Sequence, residues 1–403
     1  MTIRLYPVAK RVALPLPIRI HNQVLFVLVT VGALAAVLSG FVGLSPNRLV
    51  SGSPISLWAG AGTEFTAGIA ALGAILLAAS IVQPSKALHC ATATCAGLLL
   101  LLVLAAAGRA AALLAPSATA ASRISLGPAF WVLIACTALS LADALQRLRA
   151  GIAVRVLAVI VVAAGIVLLA ARGTFDALSI AREYDSRHQV FAEALVRHMV
   201  LVGTSVGAAL VIGLPLGVAA AKRSRLQGPL FAVLNTLQTI PSIALFGLLI
   251  VPLSALVAAA PRLGALGISG IGVTPAVIAL VLYALLPVVR NTVAGLANVD
   301  SASIEAGRGM GMSSRQIFWQ VELPLSVPVL LAGLRIVTVQ AIGLAVVAAL
   351  IGAGGLGTFV FEGLGQYAVD LVLLGALPAI LLALAADFAL QILATVLRRR
   401  FAR

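Results

Sequence analysis

Several places in the 403-residue chain carry residue types and spacings that could do chemistry. Gly352-Ala353-Gly354-Gly355-Leu356-Gly357 fits G-x-G-x-x-G, the pattern of a dinucleotide-binding turn. That turn needs a preceding strand and an acidic residue about 20 positions on. Here a long apolar stretch precedes it, and the next acids, Glu362 and Asp370, lie 5 and 13 residues beyond Gly357. The run reads instead as an outer turn, re-entrant segment or gate, with Gly352, Gly354, Gly355 and Gly357 as its hinge residues. Gly203-Thr204-Ser205-Val206-Gly207 fits G-x-S-x-G, but it lies inside an apolar run without the strand–turn–helix context that exposes a nucleophilic serine. Gly203/Gly207 and Gly213/Gly217 read as small-xxx-small pairs for close packing of membrane helices. Cys90, Cys95 and Cys136 sit in apolar runs, and His21, His89, His188 and His198 are scattered, so neither a disulfide framework nor a metal site is implied. No G-x-x-x-x-G-K-[ST] occurs, so the chain has no P-loop with which to hold nucleotide phosphates itself. No catalytic, cofactor-binding or metal-ligating residue is expected.

What remains is one long polar loop and a few polar residues inside apolar segments. Residues 291–324 read NTVAGLANVDSASIEAGRGMGMSSRQIFWQVELP. Asp300 or Ser301 can N-cap a short helix, Gly311 can end it in a left-handed conformation, and Ser313 or Ser314 can cap a second. Ile317 and Val321 then share a face, and Pro324 opens the next helix in its tolerated first turn. The result is a helix–glycine–helix elbow that can push or be pushed as one body; an ordinary solvated connector has the same local signals. Inside the apolar segments stand Asn235, Gln238, Thr239, Ser242, Tyr283, Arg335, Gln340 and Asp387. Pro241 breaks the helix beside Ser242, and the freed backbone groups are tolerable only against protein or a water-filled path. Arg335 lies about three turns beyond Pro324 and can pair with Asp387 or a carbonyl.

The elements that must position these residues follow from composition. Of the chain 62% is hydrophobic and 10% is charged, against about 25% charged in soluble domains, and mean hydropathy is +1.16. A soluble enzyme is excluded. A bilayer span takes about 20 mostly apolar residues, and ten candidates occur, at about 23–44, 65–83, 88–108, 127–145, 153–171, 198–220, 229–257, 273–290, 325–351 and 371–396. The first follows Lys10, Arg11 and Arg19 in the manner of a signal peptide, but its apolar stretch is too long and no A-x-A site precedes a soluble domain, so it reads as a retained helix. The fold class is all-α, polytopic and integral to the membrane.

The net charge of +15 is a topology signal. With ten spans, both termini share a side, which holds 18 of the 27 Lys and Arg against 8 on the other. The positive-inside rule then makes that side cytoplasmic. Nucleic acid is not needed to explain the basic excess. The organisation reads as a membrane domain of about five helices over 1–171, an outer amphipathic linker over 172–197 ending in a short helix with Phe191 and Leu195 on one face, a second membrane domain over 198–397 containing the loop 291–324, and a basic cytoplasmic tail over 398–403.

The run Glu305-Ala306-Gly307-x-x-x-Gly311, followed after nine residues by Val321-x-Leu323-Pro324, resembles the EAA loop of ABC-importer permeases, E-A-A-x-x-x-G followed by I-x-L-P. Gly307 replaces the second alanine and Val321 the isoleucine. TIPSIALFGLLI at 239–250, GVTPAVIALVLYALLP at 272–287 and ALIGAGGLGTFVF at 349–361 are similar to permeases of glycine betaine/choline osmoprotectant importers. SPNRLVSG at 45–52, SLGPAFW at 125–131 and REYDSRHQVFAEAL at 182–195 resemble the Yeh-type permeases, which carry an extra N-terminal membrane domain.

The resemblance implies an ABC permease core in which the elbow docks into a cleft of a separate ATPase. Glu305, Ala306, Gly307 and Gly311 would form the docking turn, with Leu323 and Pro324 leading into the membrane. Arg308 and Arg315 would meet acidic ATPase surface or water. It also implies a substrate-binding protein on the periplasmic side, a second permease subunit, and residence in the bacterial inner membrane. ATP and Mg would be used by the partner ATPase, and this chain would bind no cofactor. Asn235, Gln238, Thr239, Pro241, Ser242, Tyr283 and Arg335 are candidates for the translocation pathway. A methionine or other amino-acid permease is the nearer alternative; an ion-coupled secondary transporter, with Arg335 and Asp387 as coupling pair, is the distant one.

Overall fold

The computed structural model describes residues 19–48, 50, 52–117, 119, 121–265 and 267–401. Arg4, Lys10, Arg11 and Arg403, which entered the charge count, lie outside them. The chain divides into two compact units, residues 1–178 and 179–403.

The first unit contains α1 (Gln23–Leu38), β1 (Val42–Ser45), β2 (Ser53–Ile55), α2 (Leu57–Ala61), α3 (Thr63–Ile81), α4 (Lys86–Leu114), β3 (Arg123–Leu126), α5 (Pro128–Arg147) and α6 (Ile152–Ala171). The helix starts are set locally. Asn22 Oδ1 accepts from Leu25 N at 3.1 Å, Ser85 Oγ accepts from Leu88 N at 3.1 Å, and Pro128 occupies the first turn of α5. Asn22 also donates to Asp143 at 2.7 Å, tying the start of α1 to α5. Phe41, Leu76, Val103 and Phe130 belong to its core.

Two features depart from the sequence reading. The three strands form an antiparallel sheet in the order β2-β1-β3, a small addition to an otherwise helical fold. The motif 45–52 starts at the end of β1, and the motif 125–131 runs from the end of β3 into α5. The helix expected over 23–44 stops at Leu38, because Ser39 turns extended and the apolar run Phe41-Val42 enters β1. Its 16 residues reach about 24 Å at 1.5 Å per residue, short of the ~30 Å hydrocarbon core. Among the described residues nine helices, not ten, are long and apolar enough to cross a membrane.

The second unit contains α7 (Ser179–Lys222), α8 (Ser224–Thr239), α9 (Ser242–Ala259), α10 (Pro261–Ala265), α11 (Val273–Ala297), α12 (Ser301–Gly309), α13 (Ser314–Ile317), α14 (Leu323–Val347), α15 (Gly357–Gly365) and α16 (Val369–Phe401). Helix α11 is the central post, packed against α7 and α14. Small residues allow the approach: a Cβ on Gly213 would fall 2.7 Å from Val288, and one on Gly217 2.5 Å from Thr292. Cβ atoms on Gly203 and Gly207 would meet nothing within 4 Å, so of the two small-residue pairs only the second packs within this unit.

The segment expected as a separate linker is largely the first half of α7. Nothing between 179 and 197 breaks the helix except a non-helical Arg187, whose guanidinium reaches Glu362 at 2.7 Å. Phe191 finds protein rather than a lipid surface, stacking near Tyr184 and Phe359 beside buried Ala368, Leu371 and Leu374.

Candidate functional site

The elbow between α11 and α14 is closed by its own polar side chains. Asp300 caps α12, accepting from Ala302 N at 3.2 Å. Gly311 adopts φ +79°, which lets its N–H reach Arg308 O at 2.9 Å and that of Met312 reach Gly307 O at 3.1 Å. Ser313 and Gln316 form a reciprocal capping box, with Ser313 N donating to Gln316 Oε1 at 2.8 Å. Gly307 is buried where α12 meets α13, and a Cβ there would contact Met312 Sδ and Ile317 Cγ1, both at 3.4 Å. An alanine therefore fits, and its φ is not left-handed. Gly307→Ala is expected to stabilise the elbow by about 0.5–1 kcal/mol through reduced unfolded-state freedom, read as slower hydrogen exchange over 301–317.

The outer surface of this turn carries Glu305, Ala306, Arg308 and Arg315, all exposed. Beside them stand two residues that the sequence reading passed over: Met310, 74% exposed, and Trp319, 58% exposed. Large apolar side chains flanking a glycine turn in a polar loop were the available signal. Arg and Trp together are typical anchors of protein interfaces.

The second elbow helix is not separate from the membrane helix that follows. Between α13 and α14 the chain keeps turning as a π-helical stretch, Phe318–Glu322, in which Leu323 N bonds back to Phe318 O. Ser314–Ile351 is thus one 38-residue helical rod. Leu323 and Pro324 are half-buried within it. Lys222 Nζ, at the end of α7, sits 4.3 Å from the Phe318 ring centroid and pins the same joint. Ser326 is buried under Gly295 of α11, while Gly333 is seated against Asn291.

Helices α8 and α9 meet at Ile240-Pro241, where the expected break occurs. Pro287 lacks an N–H, which orphans the Tyr283 carbonyl one turn earlier in α11. Gln238 Nε2 donates to that carbonyl at 2.9 Å, and the Tyr283 hydroxyl donates to Ile240 O at the break. Two interruptions in neighbouring helices therefore satisfy one another. Tyr283 is buried and its hydroxyl is committed to this staple, which holds the break. Tyr283→Phe would strand the Ile240 carbonyl at an expected cost of about 1–3 kcal/mol, visible as a lower melting temperature in lipid nanodiscs.

Asn235 accepts from Arg290 Nη2 at 3.1 Å, and Thr239 Oγ1 donates to Thr236 O at 2.7 Å. Pro241 is exposed and Ser242 half-exposed. Arg335 and Asp387 form a two-pronged ion pair, Nε to Oδ1 and Nη2 to Oδ2, the latter at 2.8 Å. The structure does not bring these groups to one point: Arg335 faces a groove with Ile336, Val339, Gln340 and Asp387, apart from the Gln238–Tyr283 staple.

The glycine run after α14 is a compact turn. Gly352, Gly354 and Gly355 have φ of +78°, +80° and +84°, and Gly357 lies against the Val346 carbonyl, where a Cβ has no room. Arg197 Nε donates to Ala353 O at 3.2 Å, Gly272 N donates to Ile351 O at 2.8 Å, and His198 packs on Gly355. Helix, not strand, precedes it, so the dinucleotide reading fails. Ser205 is buried in mid-α7, so G-x-S-x-G presents no nucleophile either.

Comparison with known proteins places both halves of the chain. Residues 21–181 match the family model for the ABC transporter permease YehY N-terminal domain. Residues 213–403 match that of the binding-protein-dependent transport system inner membrane component. The osmoprotectant import permease protein OsmW of Salmonella typhimurium is 42% identical over 210 residues, covering 51% of this chain and 91% of OsmW. The chain belongs to the binding-protein-dependent transport permeases. Other relatives of this permease are the carnitine transport permease protein OpuCB of Listeria monocytogenes, 40% identical over 48% of the chain and 82% of that protein, and the glycine betaine/carnitine/choline transport system permease protein OpuCD of Bacillus subtilis, 36% identical over 47% and 77%. An inward-facing structure of the MetNI methionine ABC transporter superposes with a TM-score of 0.47 at 23% identity, covering 52% of the permease and 97% of that chain.

Proposed function

We propose that this permease is the membrane subunit of an ATP-driven importer for glycine betaine or a related quaternary ammonium osmolyte. It forms the pathway with a second permease subunit, of the same or a different chain, and takes substrate from a binding protein on the periplasmic side. A separate ATPase supplies the ATP and Mg chemistry, and this chain itself makes and breaks no bonds. The elbow and the C-terminal end of α16, two spans further on, lie on the cytoplasmic side of the bacterial inner membrane, an orientation supported by Lys222, Arg223, Arg225, Arg290, Arg308 and Arg315 on the segments assigned to that side.

The observation that carries this reading is the elbow's continuity with α14. A push on the exposed Glu305–Arg308–Met310 face reaches the membrane as a rigid-body movement of one rod, and α11 must follow because its contacts with that rod are tight. The stapled break at Pro241 and the glycine turn at 352–357 then re-aim around it, giving alternating access.

Quaternary ammonium groups are held by aromatic faces, yet Tyr283 and Phe246 are buried in the packed core. Tight recognition therefore belongs to the soluble binding protein, while the permease offers passage. The substrate assignment is tested by competition in proteoliposomes holding the full complex. Unlabelled carnitine and choline should suppress uptake of labelled glycine betaine, and methionine should not. Suppression by methionine alone would move the assignment to amino acids.

A further inference from the structure

The first unit holds a cavity of about 370 Å³ between α1 and α3, floored by α4 and α5, within the ~300–1,000 Å³ range of ligand sites. Leu76, Leu99, Leu133 and Cys136 form its deep wall and are all buried. Every hydroxyl on the wall is already used by its own helix: Thr66 Oγ1 donates to Gly62 O at 2.8 Å, Thr137 Oγ1 to Leu133 O at 2.8 Å, and Ser140 Oγ to Cys136 O at 2.7 Å. Each hydroxyl proton is thereby committed, which leaves water only a few acceptor lone pairs on an otherwise apolar wall, short of the two to four polar partners that an ordered water takes. The wall suits hydrocarbon.

The cavity is continuous with the lipid-facing surface. On α1, Val27, Val31, Leu34 and Val37 are exposed, as is Ile75 on α3, and in a chain whose described residues include nine apolar spans such faces meet the bilayer. Val37 and the exposed Trp58 belong to its rim. Tryptophan is the residue that marks the headgroup level. Gly73 keeps the space clear, because it lines the cavity and a Cβ there would meet nothing within 4 Å.

We propose that this cavity is a binding slot for one acyl chain of a bilayer phospholipid, entering between α1 and α3 with its headgroup at the level of Trp58. The slot is a property of the first unit and does not depend on which osmolyte the permease carries. The full-length chain is reconstituted into phosphatidylethanolamine/phosphatidylglycerol vesicles containing a phosphatidylethanolamine with a diazirine near one acyl terminus, irradiated, and its adducts mapped by mass spectrometry. Helix α6, which buries no residue in this chain, reports ordinary lipid contact. Adducts on Leu76, Leu99, Leu133 or Cys136 in addition to α6 are expected. Gly73→Phe should lose the deep-wall adducts and keep those on α6, and Gly73→Ala should keep both. Labelling of α6 alone in the unaltered chain overturns the proposal, even if the phenylalanine variant does not fold. Deep-wall adducts that persist in a folded Gly73→Phe overturn it too.

Discussion

Arg335→Leu is expected to be the most damaging single change within the membrane spans, and Arg335→Leu with Asp387→Leu is expected to recover most of the loss. The two side chains are 42% and 32% exposed on this chain's surface, at positions near the middle of α14 and well inside α16. A lone Asp at the centre of a span costs about 2.5–3.5 kcal/mol on insertion scales. The bidentate pair offsets that cost, and removing the arginine restores it. Removing both charges leaves leucines in an apolar setting, and replacing a whole ion pair by hydrophobic residues is often near neutral. Melting temperature in nanodiscs should fall for the single variant and return for the double. If transport stays lost in the stable double variant, the pair acts on the pathway or on the neighbouring subunit as well as on stability. Equal damage in both variants would show that the pair is not a mutual compensation.

Glu305→Lys is expected to leave insertion and folding unchanged while uptake falls by about 10-fold or more. The side chain is exposed and makes no contact that holds the elbow together, which rests on Asp300, Gly311, Ser313 and Gln316. Placing like charges against each other in a docked contact costs several kcal/mol, and each 1.4 kcal/mol is tenfold. The defect should appear as ATP hydrolysis no longer matched by osmolyte uptake, with the melting temperature unmoved. Unchanged coupling would remove Glu305 from the docking face and leave Arg308, Met310 and Trp319 as its remaining members.

The elbow was legible in the sequence because its signals are local. Asp300, Gly311 and Ser313 act within a few residues of themselves, and the spacing from Gly307 to Ile317 follows from two short helices and a left-handed glycine. Its continuity with α14 was not legible. The π-helical register over Phe318–Glu322 depends on how the rod sits against α11 and Lys222, and no residue type announces it.

The same division runs through the membrane helices. Pro241 announced the break between α8 and α9, but the closure of that break needs Tyr283 and Pro287, more than 40 residues away on α11. Periodicity recognised Gly213/Gly217 and Gly203/Gly207 alike; only the neighbour decides which pair packs. Hydropathy alone carried the first span to residue 44, since Phe41 and Val42 are as apolar in a strand as in a helix. The polar run after residue 171 looked like a linker by composition; contacts such as those of Phe191 and Arg187 with α15 join its helical part, from residue 179, to the second unit.

Coupling is tested most directly by osmolyte uptake in proteoliposomes containing this permease, with and without the ATPase and binding protein. Labelled glycine betaine should accumulate only when all components and ATP on the elbow's side are present, and imposed ion gradients should not replace ATP. Gradient-driven accumulation by the permease alone would contradict the coupling role of the elbow and make the chain a self-contained transporter.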